Sequence, residues 1–302
     1  MRYSVIIPVY NRPDEVDELL QSLTQQSFKD FEVIVVEDGS SIPCKPVTEK
    51  YQELLDVHYY DKPNSGPGQT RNYGVERSKG EYLIILDSDC ILPEGYFLAV
   101  EEELQHEAAD AFGGPDRAHE SFTNIQKAIN YSMTSFFTTG GIRGGKKKID
   151  KFYPRSFNMG VRQEVYQALG GFSRMRFGED IDFSIRIFKG GYTCRLFPGA
   201  WVYHKRRTDF RKFFKQVHNS GIARINLYKK YPESLKLVHL LPAAFTLGVA
   251  IFLLGTPFCP YSLLPIALYA LLVCMDSTIR NRSLSIGLYS CLLYTSDAAD
   301  DR

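Results

Sequence analysis

Tyr82-Leu83-Ile84-Ile85-Leu86-Asp87-Ser88-Asp89 sets five apolar residues directly before an alternating pair of aspartates. So short and uniform an apolar run reads as a strand buried on both faces, and its acidic end as the point where the strand leaves the core. Working outward, Tyr3–Val9 is a second such run, closed by a turn at Asn11-Arg12-Pro13. Residues 31–36 form a third, closed by Glu37-Asp38-Gly39-Ser40, and residues 57–60 a fourth. Between the first two, Val16, Leu19, Leu20 and Leu23 share one face of a helix that Asp14 is placed to cap. Apolar strands alternating with helices predict a parallel sheet covered on both sides. Ligands of such sheets bind beyond the carboxyl ends of the strands, so Asn11, Asp38 and Asp87 fall on one rim.

The chain has 302 residues, enough for one large core and a smaller one. A formal net charge of +1 argues against a nucleic-acid partner. The six cysteines (44, 90, 194, 259, 274 and 291) show no paired spacing and read as reduced structural thiols. Met1-Arg2-Tyr3 runs straight into a strand, which places the N-terminal part in the cytosol. Residues 136–151 carry two glycine pairs and Lys146-Lys147-Lys148; they read as a basic loop, solvated or serving as a lid or anionic-membrane contact. From residue 161 a helix, a break at Gly170-Gly171, a helix from Asp180 and a strand at 194–197 make up a smaller lobe.

The last third has a different solvent in view. Residues 238–256 are nearly all apolar, about one bilayer crossing; Pro257 and Pro260 make a turn, and residues 261–275 are a shorter apolar stretch. Lys229, Lys230 and Lys236 precede this hairpin and Arg280 and Arg282 follow it, which places both its ends in the cytosol. A third apolar segment begins near Leu284, and residues 291–302 read as a translated sequencing adapter joined to a truncated gene, with further membrane segments expected in the natural protein. The expected layout is a catalytic domain over 1–232, with halves at about 1–115 and 116–232, and membrane helices over 233–290.

Several groups carry chemistry. Asp87-Ser88-Asp89 at a strand end offers carboxylates to a divalent cation, which would neutralise a diphosphate leaving group. Pro8-Val9-Tyr10-Asn11 and Asp38 on the same rim make a nucleoside pocket, Asp38 accepting from a base edge and Tyr10 packing on the ring. In Asn64-Ser65-Gly66-Pro67-Gly68-Gln69-Thr70-Arg71-Asn72, the glycines free amides for an anion and Arg71 adds a charged donor. It is neither a Walker loop nor a dinucleotide fingerprint. Gly178-Glu179-Asp180 offers a carboxylate to an attacking hydroxyl, Asp180 or Glu179, although an acidic helix N-terminus is favoured by the dipole alone. His204 is a further candidate cation ligand beside Trp201, and Lys205-Arg206-Arg207 faces either a diphosphate or a membrane surface.

In this order, these motifs, together with Gly68 to Gly74 and Asn158-Met159-Gly160, resemble the inverting glycosyltransferases of family two, over residues 4–228. The resemblance implies an α/β fold of the GT-A type, a mostly parallel central sheet flanked by helices, here followed by a C-terminal transmembrane helical hairpin. It implies that Pro8 and Asp38 bind the nucleoside, with Tyr10, Asn11, Gly68, Arg71 and Ser88 also on the donor side. Asp87 would contact the donor, Asp89 would bind Mn2+ or Mg2+, and His204 resembles a histidine that some members place on the metal. Asp180 would be the base and Glu179 would lie beside the acceptor, with Asn158, Met159, Gly160 and Trp201 on the acceptor side. The Q-x-x-R-W signature of processive synthases is absent, since Gln216 and Arg224 are not at that spacing, so a single transfer is expected.

The expected activity is thus hexosyl transfer from a UDP-linked sugar to a lipid-linked or cell-envelope glycan, at the cytosolic face of the inner membrane. A sugar nucleotidyltransferase is the rival enzyme, but it needs a basic glycine-rich segment after the first strand, where this chain has Asn11-Arg12-Pro13-Asp14-Glu15. A non-catalytic nucleotide-sugar sensor would have lost a key aspartate, and none is lost.

Overall fold

Along Tyr3–Val9 (β1) the side chains alternate between two cores: Tyr3, Val5, Ile7 and Val9 enter one, and Ile6 the other. Phe31–Asp38 (β2) repeats this, with Val33 and Val35 against Ile34 and Val36, and so does Tyr82–Leu86 (β4), with Ile84 against Leu83 and Ile85. Most residues of these strands are apolar because both faces are covered; Ser4 in β1 and Glu32 in β2 are buried polar exceptions. The computed structural model describes residues 1–117, 122–139, 152–205, 210–235 and 237–293; the basic stretch 140–151, Arg206-Arg207, Lys236 and residues 294–302 of the segment expected to be an adapter lie outside them.

The remaining strands are Val57–Lys62 (β3), Cys90–Ile91 (β5), Ala111–Gly113 (β6), Asp116–Arg117 (β7), Asn158–Arg162 (β8), Cys194–Leu196 (β9) and Val202–His204 (β10). The helices are Pro13–Thr24 (α1), Lys45–Glu49 (α2), Pro67–Val75 (α3), Tyr96–His106 (α4), Asn124–Thr134 (α5), Phe136–Thr139 (α6), Gln163–Ala168 (α7), Glu179–Lys189 (α8), Phe210–Lys230 (α9), Leu241–Gly255 (α10), Leu264–Asn281 (α11) and Leu284–Leu293 (α12). Seven strands form one sheet in the order β3-β2-β1-β4-β8-β6-β9, and β5-β10-β7 form a second, small one. In the large sheet only β8 runs against its neighbours, so it is mostly parallel. This is the α/β architecture expected.

The order 3-2-1-4 puts a topological switch between β1 and β4, where parallel sheets open a crevice. The pairing confirms the opening: β1 meets β2 up to Val9, but meets β4 only from Tyr3 to Ile6. Pro8, which has no N–H to give, therefore sits beyond the last β1–β4 pair and costs that ladder nothing. At α1, Pro13 takes the first position and Asp14 lies within the first turn; no side chain caps the helix, contrary to the expected role of Asp14.

The chain divides into two compact units, residues 1–119 with 149–204 and residues 120–148 with 205–302. The first holds both sheets. In the second, α5 starts at a capping box of Thr123 and Gln126 and packs with α11 and α12. Tyr131 donates to Asp276 at 2.6 Å, and the buried hydroxyls of Ser277 and Ser290 lie 2.7 Å apart. The apolar C-terminal stretches differ from the sequence reading. Residues 237–240 form a 3-10 turn, and α10 has 15 residues, about 22 Å of rise, short of a hydrocarbon core of about 30 Å. Tyr261–Asn281, at 21 residues, is the one helix among the described residues long and apolar enough to cross a bilayer.

Gly160 lies in β8 under the Phe112 ring, which stacks on Phe197 at 4.4 Å, and a Cβ at Gly160 would stand 2.1 Å from that ring. Gly160→Ala is expected to cost about 1–3 kcal/mol or more through overpacking, read as a lowered denaturation midpoint. An unchanged midpoint would mean the ring can move aside.

Candidate active site

The turn after β4 is closed by the Cys90 amide donating to Asp87 O at 3.1 Å, and β5 follows at once. Antiparallel pairing of β5 with β10 sets His204 opposite Cys90. His204 Nε2 thereby comes 3.2 Å from Asp89 Oδ1, across more than a hundred residues of sequence. The imidazole stacks on Phe157 at 4.7 Å, and its buried Nδ1 has no hydrogen-bond partner among the described residues. On the other side of the carboxylate, Arg12 Nη1 donates to Asp89 Oδ2 at 2.6 Å. Cys90 is not a third ligand of choice: burial, then Asp89, push its thiol well above its ordinary range, and Sγ contacts Phe157 O at 3.3 Å. Ser88 is buried in the same turn.

Arg71 is the centre of the acidic rim. Its guanidinium is buried, donating through Nη2 to Asp87 Oδ1 at 2.8 Å and through Nη1 to Glu179 Oε1 at 2.9 Å. One planar fork therefore joins the strand-end motif to the start of α8. The next residue, Asn72, exchanges bonds of 2.9 Å with the backbone N–H and C=O of Phe172 and takes the Tyr166 hydroxyl at 2.6 Å. Gly68 allows this close approach: a Cβ there would meet Glu179 Cγ at 3.2 Å and Phe172 Cβ at 3.3 Å. The segment expected to cradle an anion is thus an internal clamp, and Arg71 is already spoken for by two carboxylates.

Asp38 is buried at the end of β2 and accepts from Lys62 Nζ, from the Ser65 amide at 2.9 Å and from the Gly66 amide at 3.0 Å. Burial opposes ionisation, but Lys62 and the Ser65 amide hold the carboxyl below its usual range. Two amides of the expected anion cradle are consumed here. Asn11 adopts a left-handed backbone, φ 54°, and its Oδ1 accepts from the Ser41 and Ile42 amides at 2.8 and 3.0 Å. It ties the β1 loop to the β2 loop. Tyr10 beside it is 54% exposed, an open aromatic face on the same rim.

Gly178, at φ 82°, turns the chain into α8, whose first residues are Glu179 and Asp180. Burial and then Asp180 push the Glu179 carboxyl upward, against the pull of Arg71. Asp180 Oδ2 lies 3.0 Å from Arg155 Nε, and Oδ1 accepts the Ile181 amide at 2.8 Å. The expected acceptor residues divide. Met159 and Gly160 are interior members of β8, and Asn158 is buried between the Tyr96 hydroxyl (2.6 Å) and Ala200 O (2.7 Å). These three hold strands together and offer no surface to an acceptor. Trp201 is half-buried, with the Arg117 guanidinium 4.1 Å from its ring centroid and Tyr203 edge-on at 4.7 Å. Sequence reasoning missed Arg12, Lys62 and Arg155, each of which neutralises an expected site carboxylate.

A carboxylate oxygen and an imidazole nitrogen on one side, with a protonated thiol behind them, suit a hard or borderline divalent ion such as Mn2+ or Mg2+. The Glycosyl transferase family 2 domain matches residues 4–170, just over half of the chain. The chain belongs to this family. It is 30% identical over 193 residues to an uncharacterized glycosyltransferase of Haemophilus influenzae, covering 62% of each protein, so it spans under two thirds of that relative's length. Over 93 residues it is 39% identical to the Staphylococcus aureus poly(ribitol-phosphate) beta-N-acetylglucosaminyltransferase TarS, 30% of this chain and 16% of that one. Among solved structures, S. aureus TarS 1-349 in complex with UDP-GlcNAc has a TM-score of 0.57 at 18% identity, covering 97% of this chain and 90% of that chain. A mannosyltransferase from Pyrobaculum calidifontis in complex with GDP-Man and Mn2+ reaches 0.67 at 16%, covering 96% and 86%. The family-2 member described here shares their fold.

Removing Arg71 strands two carboxylates that share its guanidinium. Arg71→Met is expected to destabilise the chain by about 3–5 kcal/mol, the range for breaking a buried pair. Equilibrium denaturation measures this, and a loss below 1 kcal/mol would mean that water replaces the guanidinium.

Proposed function

We propose that this family-2 chain transfers a hexosyl group from a UDP-type nucleotide-sugar to a hydroxyl of a lipid-linked or cell-envelope glycan, inverting the anomeric carbon. The reading rests on the Arg71 bridge, which joins Asp87 at the end of β4 to Glu179 at the start of α8. The S. aureus relative's UDP-GlcNAc complex supports a UDP-linked donor, and its name, a poly(ribitol-phosphate) transferase, supports a polymeric acceptor. Asp38, with Tyr10 and the Pro8 backbone, receives the nucleoside. Asp89 and His204 hold Mn2+ or Mg2+, which when bound supplies Lewis-acid neutralisation of the charge on the departing diphosphate. Arg12, paired with Asp89 at 2.6 Å, would remain as a positive charge beside that carboxylate when it holds a cation. Arg155 holds Asp180 in place, and Asp180 takes the proton of the acceptor hydroxyl as its oxygen attacks. Trp201, half-buried with the Arg117 guanidinium over its ring, would line the acceptor side.

The same proposal places the chain at the cytoplasmic membrane with its catalytic unit in the cytosol. Leu247, Ile251, Leu254 and Phe258 on and after α10, and Leu268 and Leu271 on α11, are exposed, and Tyr261–Asn281 has the length for a crossing.

A screen of nucleotide-sugars, read by UDP or GDP release, is expected to single out a UDP-linked hexose. Asp180→Asn should lower transfer by about 10²–10⁴-fold while UDP binding stays intact, the scale of a lost general base. Retained turnover would overturn the base assignment. Asp89→Ala should remove the dependence of UDP affinity on Mn2+; an unchanged titration would count against that ligand.

A further inference from the structure

Glu32 opens β2 at the end of the sheet opposite to Asp38. The two stand six positions apart, about 20 Å of strand. Glu32 is fully buried, and its carboxylate is only half satisfied. Oε1 accepts from the Ser4 hydroxyl at 2.6 Å and the Lys79 amide at 2.7 Å. Oε2 is shut off from solvent and accepts no hydrogen bond among the described residues. Such an oxygen is costly unless something positive reaches it.

Strand register shows what it faces. In the parallel β2–β3 pair Ile34 sits opposite His58, so two residues back Glu32 lies level with Asp56, on the same face of the sheet. His58 Nε2 is 3.8 Å from Glu32 Oε2 and 3.1 Å from Asp56 Oδ1. That nitrogen too is buried and makes no hydrogen bond, although the His58 side chain is 37% exposed. One atom from each of the three residues falls within 4.8 Å of the other two.

We propose that Glu32, Asp56 and His58 bind a Zn2+-class divalent cation, separate from the Asp89–His204 group. A tetrahedral zinc with bonds of about 2.0–2.1 Å keeps its ligand atoms about 3.4 Å apart, and the two observed separations bracket that value. Two carboxylates and one imidazole form a donor set that zinc accepts, and the exposed side of Asp56 leaves room for water as a fourth ligand. The cation would pin the edge strand β3 to β2 at the end remote from the active site. Its role is structural, and the proposal does not depend on the transfer reaction.

Calorimetric titration of the purified full chain with Zn2+ tests it, in an Asp89→Ala background that removes the other group. One equivalent is expected to bind and to raise the thermal midpoint. Adding His58→Ala should weaken that binding at least tenfold and remove the thermal shift. Asp56→Asn, at an exposed position, should do the same should His58→Ala fail to fold. Co2+ in place of Zn2+ should give the intense visible absorption of a tetrahedral site, absent in both variants. No bound equivalent in the Asp89→Ala protein, or binding indifferent to both further substitutions, would overturn the proposal.

Discussion

A single buried guanidinium sets the geometry of the rim. Arg71 projects from α3 to the end of β4 on one side and to the start of α8 on the other, so Asp87 and Glu179 are held one guanidinium apart. Without it the buried Glu179 carboxylate and the partly exposed Asp87 carboxylate would repel each other with no charge between them, an arrangement that expels one charge or pulls the elements apart. Buried pairs of this kind add little net stability, because desolvation offsets the attraction. What they supply is position. Arg71 fixes the separation of two elements that the sheet alone does not connect, and Gly68 and Asn72 on the same helix keep α3 close enough to do so.

Around this fork the rim is a set of exchangeable pairs. Asp38 has Lys62, Asp89 has Arg12 and Asp180 has Arg155, the first cation from the end of β3 and the other two from separate loops. A charged ligand entering such a cleft meets carboxylates already oriented, so binding exchanges one partner for another and orders little new. The pairs also explain why so acidic a rim is tolerated before any ligand arrives. The small sheet completes the arrangement: β5, only two residues long, ties His204 to the strand-end turn, and without that pairing the imidazole would not face Asp89.

The strands were legible because burial on both faces writes an uninterrupted apolar run; Tyr3–Val9 and Tyr82–Leu86 begin and end where the sequence predicts. The rim was legible for a related reason, since polar residues directly after such runs must lie at the strand ends. The cations were not. Arg12 stands in a turn and Lys62 ends an edge strand, positions where a basic residue usually meets water, and nothing local distinguishes the one that folds back onto an aspartate. Asn158-Met159-Gly160 misled in the opposite direction. As a motif it suggests a ligand contact, whereas Gly160 is small because Phe112 lies over it and Asn158 is polar because Tyr96 and Ala200 need a partner between them. The two-residue strands were too short to leave any period. Hydropathy likewise overran α10, because a window average does not register that residues 237–240 coil as a 3-10 turn before the helix begins.

The two ends of β2 pose the same electrostatic problem and solve it differently. At the carboxyl end, Asp38 is buried with a lysine and two amides, so both oxygens have donors and the charge is balanced within the protein. At the amino end, Glu32 has a hydroxyl and an amide on one oxygen and nothing on the other. No lysine or arginine forms an ion pair with it among the described residues; the nearest cation-forming group is an imidazole that also contacts Asp56. If His58 were neutral, a buried negative charge would stand uncompensated beside a second one. If it were protonated, one positive charge would serve two carboxylates across 3.1 and 3.8 Å, the longer of these beyond a hydrogen bond. A divalent cation between the three groups would give both buried unpartnered atoms, Glu32 Oε2 and His58 Nε2, a partner at one place.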